Sequence, residues 1–342
     1  MNSRHGSVVP AALLAMAISA IVAGCGAAAT ASPVATATAI GPSPSPAATE
    51  TASVSATQSP ATSAAAATPA AAPTSNAGLP DFHHVYVIIL ENKSYRSIVG
   101  AGDAPYMNSL IAHYGMATNL LAETHPSEPN YIALTSGSRQ GTTTDGSYNV
   151  NANNIFDQID ASGRTWHVYA QGYPGGCYKG SQATGVIDGP GAKGEYVRKH
   201  NPAISYTSIS GNTARCAQIT HLTGFDPAAA NFEMIIPNLI NDMHSSSTRA
   251  GDDFLRAFVP KIISSTAFAD SLLIITWDEG AGSDAAGGGG HIATILASPG
   301  MKPGSRFTAA ATHYSLLRTI ELAWGMPLLG NAATASTITL PY

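Results

Sequence analysis

Two stretches, His84-Val-Tyr-Val-Ile-Ile-Leu90 and Ser271-Leu-Leu-Ile-Ile-Thr276, are nearly unbroken apolar, β-branched runs without the alternation of a half-exposed strand. Such runs belong to strands covered on both faces, as in parallel sheets flanked by helices. Each stops at polar residues: Glu91-Asn92-Lys93-Ser94 after the first, Trp277-Asp278-Glu279-Gly280 after the second. Open α/β sheets bind ligands at the carboxyl ends of their strands, so these endings mark a candidate site.

The pattern between and around them alternates. Helices are predicted over Ala104–His113, from the Ser127 turn to Ser136-Gly137, after a cap at Asn153-Asn154 through Ile159, over Gly251–Ser264 and over His313–Trp324. Tyr314, Leu317 and Ile320 form the predicted core stripe of the last of these. Strands are predicted over Met116–Leu121, Thr165–Ala170, the apolar run Phe232–Ile240 and Ile292–Ala297. The alternation predicts an α/β fold with a mostly parallel central sheet and a single catalytic domain over residues 81–342. Gly172–Asn212, rich in Gly, Pro and Tyr, reads as a long functional insertion.

The first eighty residues have a different composition. Arg4, the apolar run Val8–Val22 and the tetrapeptide Val22-Ala23-Gly24-Cys25 read as a signal peptide ending in a lipobox, with Cys25 lipidated; an uncleaved helix or ordinary cleavage are the alternatives. Residues 26–80 contain Ala, Thr, Ser and Pro with Glu50 as their one charge and no aromatic residue, a composition that builds no core and reads as a tether. The expected location is therefore extracytoplasmic, anchored to the membrane by lipid or secreted. In that compartment Cys177 and Cys216 are expected to form a disulfide; two buried thiols are the alternative. With 11% charged residues, a net charge of −5 and no basic run, nucleic acid is excluded as a partner.

Ser127, in Thr124-His-Pro-Ser-Glu-Pro-Asn-Tyr131, reads as a nucleophile at a helix start, where unpaired N–H groups favour an anion; a plain helix cap is the bland reading. Glu91-Asn92 and Asp278-Glu279 are candidate cation ligands, since paired carboxylates repel unless a cation or proton relieves them. Asp242-x-His244 suits a metal or acid/base pair, and Arg198-Lys199-His200-Asn201 suits a phosphate or a departing group that needs a proton; a solvated loop is the alternative for the latter. One nucleophile with many oxygen ligands is equipment for phosphoryl or sulfuryl transfer.

Four stretches in this order, Ile89–Tyr95, His125–Tyr131, Pro237–His244 and Thr276–Gly280, resemble the bacterial and fungal phosphoesterase family of acid phosphatases and phospholipases C, within the alkaline phosphatase superfamily. Lys199–Pro202 and His313–Ile320 are similar to it as well. The resemblance implies that Glu91, Asn92, Ser127, Asp278 and Glu279 surround one cation and that Ser127 is phosphorylated during turnover. It implies that Asn130 stabilises the phosphoryl group, and that Asp242, His244 and His291 hold a second cation or bind phosphate. An all-oxygen first site suits a hard ion, Ca²⁺, Mg²⁺ or Mn²⁺. The implied activity is that of an acid phosphatase acting on small phosphomonoesters or phospholipid headgroups, with protonated His200 or His244 assisting the leaving group. The alternatives are a phosphodiesterase or phospholipase C of the same family, or a lipoprotein that binds phosphate without turnover.

Overall fold

A computed structural model describes residues 78–188, 193–339 and 341. The signal peptide, Cys25 and nearly all of the tether lie outside the described residues. Among those described, no helix is long and apolar enough to cross a membrane.

The chain enters the core at Leu79 and Phe82, both buried. The strands are β1 (His84–Leu90), β2 (Gly115–Leu121), β3 (Trp166–Ala170), β4 (Gln182–Ile187), β5 (Lys193–Val197), β6 (Ile219–Thr220), β7 (Phe232–Ile236), β8 (Ser271–Trp277), β9 (His291–Ala297), β10 (Ser305–Phe307) and β11 (Ala311–Thr312). The main sheet runs β10-β2-β9-β8-β1-β7-β3-β6, with β11 also on β2; β4 and β5 form a separate hairpin. β1 and β8, buried at every residue, pair in parallel over their full length near the middle. β9 is the exception, antiparallel to both β2 and β8, so the sheet is mixed but mostly parallel. The carboxyl ends of β1, β2, β7 and β8 all reach one edge, and the amino end of β9 meets them there.

The expected helices form with shifted ends: Pro105–His113, Glu128–Ser136, Ile155–Ala161, Thr248–Phe258 and His313–Ala323. Asn154 caps the third by accepting from the Asp157 N–H. Leu317 and Ile320 are buried as expected, whereas Tyr314 is half-buried. The helix after Ser127 stops at Gly137, whose φ of 70° is left-handed. An added Cβ there would lie 2.0 Å from the Leu329 carbonyl oxygen. Gly137→Ala is therefore expected to cost roughly 1–3 kcal/mol or more, read from the urea midpoint; an unchanged midpoint would show that the 329–330 segment yields freely.

The run Phe232–Ile240 is not one strand. Pro237 lacks the N–H needed to continue the ladder, and the Asn238 side chain accepts from the N–H groups of Ile240 and Asn241, winding the chain into a turn. Asp242 and His244 thus sit in a loop rather than at a strand end. The 172–212 insertion carries the β4–β5 hairpin and is stapled by the Cys177–Cys216 disulfide, with Cα atoms 5.3 Å apart. β5 runs directly into a 3₁₀ turn, Arg198–His200, and so delivers His200 inward.

Candidate active site

Glu91, fully buried at the end of β1, is the centre. Its Oε2 accepts from Ser127 Oγ at 3.0 Å and from Asn92 Nδ2 at 3.0 Å; its Oε1 accepts from the Tyr131 hydroxyl at 2.6 Å. His200 Nε2 lies 3.1 Å from Glu91 Oε1, and His200 Nδ1 lies 3.3 Å from Asp242 Oδ2. Asp278 Oδ1 accepts from the Asn92 backbone N–H at 3.1 Å. Asn92 reaches this position with φ of 53°, a conformation asparagine tolerates better than most residues.

Ser127 has helical backbone angles and its side chain makes no capping bond, so the plain-cap reading does not hold. Its hydroxyl points to Glu91 because the preceding turn is built by another residue. Asn130 Oδ1 accepts from the Glu123 and Thr124 N–H groups, and its Nδ2 donates to the Thr124 and Pro126 carbonyls. The structure thus occupies the Asn130 amide with the nucleophile turn, whereas the resemblance implied a contact to phosphate.

Asp278 Oδ2 is buried with no hydrogen-bond partner, and Asp242 Oδ2 and both His200 ring nitrogens meet carboxylate or imidazole atoms at ion-pair distance without hydrogen-bond geometry. Burial, reinforced by the neighbouring carboxylate charges, pushes Glu91 well above the usual carboxyl range. Asp242 and Asp278 are raised mainly by burial as well. His200 is pushed well below its ordinary value by burial and by the Lys199 charge, and His244 is lowered for the same two reasons. Both shifts favour the neutral imidazole, the form that ligates metals, over the protonated donor expected. Three carboxyl groups that burial drives toward protonation, beside these imidazoles and an unpartnered carboxylate oxygen, fit a divalent cation. Glu91, His200 and His244 offer ligand atoms within 4.8 Å of one another.

The expected ligands separate into two directions. Asp278 faces the cluster, whereas Glu279 turns to His125, whose Nδ1 lies 2.9 Å from its Oε2 and whose Nε2 lies 2.9 Å from the Asp284 carbonyl. Burial and the Asp278 charge raise Glu279 to about 7 against the opposing pull of His125. His291 is also directed elsewhere: its Nε2 is 2.9 Å from the Thr118 carbonyl, and its ring stacks on Tyr95. Sequence reasoning missed Tyr131 as a site residue because it counted in the apolar period. The signal was its spacing, four residues after Ser127 and hence on the same helix face. It also kept His200 and Glu91 in separate roles, although one hairpin exit brings them into contact.

A buried serine is thus held against strand-end carboxylates on a mostly parallel sheet flanked by helices. The lipoteichoic acid synthase LtaP from Listeria monocytogenes is similar in fold, with a TM-score of 0.50 and 9% identity over 75% of this chain and 77% of that one. A model of the Phosphoesterase family matches residues 101–327, and the chain belongs to that family. It is 32% identical over 266 residues to a phosphatidylinositol-3-phosphatase of Mycobacterium tuberculosis, covering 77% of this chain and 84% of that protein. It is 30% identical over 271 residues to an acid phosphatase of Aspergillus fumigatus, covering 76% of this chain and 59% of the fungal protein. The match thus spans less than two thirds of the fungal relative. The protein is a phosphoric ester hydrolase.

Proposed function

We propose that the protein is an exported, metal-dependent acid phosphatase that hydrolyses phosphate monoesters, phosphoinositide headgroups among them, through a phosphoserine intermediate. The observation that carries this reading is the Ser127 hydroxyl: it spends its hydrogen bond on Glu91 within a buried carboxylate cluster instead of capping its helix. The names of the relatives support the acid and phosphoinositide parts of the reading, and the signal-like N-terminus with the Cys177–Cys216 bond supports export.

Glu91 orients the Ser127 oxygen and Tyr131 orients Glu91, so the nucleophile is held before substrate arrives. Ser127 Oγ forms a bond to phosphorus as the bond from phosphorus to the ester oxygen breaks. The serine proton passes to Glu91, its hydrogen-bond acceptor, the ester oxygen takes a proton from solvent as it leaves as the alcohol, and water then hydrolyses the phosphoserine, freeing Ser127 and inorganic phosphate. Glu91, Asp278 and the Ser127 oxygen would hold a cation beside the nucleophile, and Asp242, His200 and His244 stand on its far side; Glu279 joins only by leaving His125. Such a cation supplies charge that lowers the serine pKa and offsets the negative charge of the transition state. The oxygen donors suit Mg²⁺, Mn²⁺ or Ca²⁺, and the imidazoles favour Mn²⁺ within that group.

The full chain, assayed on a generic phosphomonoester and a matched diester across pH, is expected to prefer the monoester and to work best below neutrality. Exhaustive chelation is expected to lower that activity at least about a hundredfold, with recovery on adding back Mn²⁺ or Mg²⁺. Full activity in protein shown by elemental analysis to be metal-free would remove the metal from the reading; faster diester cleavage would move it to a phosphodiesterase.

A further inference from the structure

Asp145, in the Thr-rich loop after the nucleophile helix, makes two polar contacts. Its Oδ1 accepts from the Glu128 backbone N–H at 3.0 Å, and its Oδ2 from Lys199 Nζ at 2.7 Å. Glu128 is the first residue of the nine-residue helix that follows Ser127, so this N–H adjoins the nucleophile. Lys199 comes from the hairpin exit on the other side of the site, next to His200, and its Nζ is also 3.5 Å from His244 Nε2. One carboxylate therefore bridges an N–H at the nucleophile and the ammonium of the residue next to His200.

The other cation at the site is committed differently. Lys93 Nζ donates to the Met243 carbonyl at 2.7 Å and stands among Glu91, Asp242 and Asp278. Lys199, against the opposing effect of burial, is held charged by its bond to Asp145. Asp278 Oδ2 is buried without a hydrogen-bond partner, and the ring nitrogens of His200, 1% exposed, stand 3.1 and 3.3 Å from Glu91 and Asp242. The site thus combines a buried, unpartnered carboxylate oxygen with a solvent-exposed anion, Asp145.

We propose that Lys199 Nζ and the Glu128 N–H are the subsite for two non-bridging oxygens of a phosphomonoester, and that Asp145 is an internal stand-in for that anion which substrate displaces. The proposal rests on the phosphatase reading. A carboxylate presents two oxygens from one atom at nearly the spacing of two oxygens on a tetrahedral phosphorus, and donors that fit one fit the other. The loop need not leave when Asp145 moves, because the Glu128 carboxylate separately holds the Gly146 N–H at 2.7 Å. Selectivity follows from charge and shape. A monoester dianion brings two negative charges to Lys199, whereas a diester offers the same two donors its oxygens with one charge fewer and a second alkyl group beside them.

The test uses the full chain and inorganic phosphate as probe, titrated by calorimetry at about pH 7, with monoester and diester kcat/KM measured on the same preparations. Lys199→Met is expected to weaken phosphate binding about tenfold or more and to lower the monoester-to-diester ratio similarly. Lys199→Arg is expected to keep most of both. Asp145→Asn, which removes the competing charge but keeps the shape, is expected to tighten phosphate binding severalfold. The proposal is overturned if Asp145→Asn weakens binding as Lys199→Met does, if both esters lose activity in parallel, or if the wild-type chain does not bind phosphate. Wild-type protein that binds phosphate but cleaves neither ester would refute the phosphatase reading, and the order of the three binding constants would still decide the subsite.

Discussion

Ser127→Ala is expected to lower kcat for a phosphomonoester by at least about a thousandfold while leaving the protein folded. The size follows from the role: without Oγ no phosphoserine forms, and what survives is binding and charge stabilisation. The intact fold follows from the neighbours. The Asn130 amide builds the nucleophile turn with four backbone contacts that do not involve the serine side chain. The helix does not depend on Ser127 as a cap. Glu91 keeps Tyr131 and Asn92 as donors after the hydroxyl is gone. Steady-state kinetics beside an unfolding curve check the first half, and acid quenching of the wild-type enzyme during turnover should trap a covalent phosphoryl group that the variant lacks. Retention of more than about a tenth of wild-type activity would mean that water attacks the ester directly.

The parts of this site that were legible in the sequence are those set by where an apolar run stops. Glu91 and Asp278 follow β1 and β8 directly, so finding the strands found the carboxylates. Their neighbours were less legible because the chain bends as soon as the strand ends. β8 stops at Trp277 and Asp278 lies in a bend, so Asp278 stays with the Glu91 cluster while Glu279 turns to His125. The direction of β9 was hidden for another reason. A strand buried on both faces reads the same in either direction, and the segment from Trp277 to His291 holds one short 3₁₀ turn and no crossover helix, so the chain returns antiparallel. Pro237 was a readable break that the apolar count overrode. Contacts such as Asp145 to Lys199 join a loop to a distant hairpin, and neither partner carries a local pattern that names the other.

A second large effect concerns stability and pH. Glu233 lies on β7 between Tyr86 of β1 and His167 of β3, near the strand end away from Ser127, and is fully buried. Its Oε1 accepts from the Ala230 N–H at 3.2 Å, while Oε2 has no hydrogen-bond partner. Burial, with the Asp226 charge adding to it, raises this carboxyl to about 8. Glu321, on the His313–Ala323 helix, is also fully buried, has one unpartnered oxygen, and is raised to about 8 by burial. Folded pKa values above the unfolded ones mean that between about pH 4.5 and 8 the unfolded chain has lost these protons and the folded chain keeps them. The unfolded state then binds fewer protons, so stability falls as pH rises through that window and is insensitive to these groups below it. Glu233→Gln and Glu321→Gln keep a neutral hydrogen-bonding side chain at every pH. Each is expected to stabilise the protein by on the order of 2–4 kcal/mol at pH 9 and by little at pH 4. Urea unfolding at pH 4, 6 and 9 checks this; a wild-type curve that stays level across the window, with both variants parallel to it, would show that these carboxyls ionise freely in the folded state. These two carboxyls contribute their full stability only on the acid side of neutrality, where the proposed phosphatase would work.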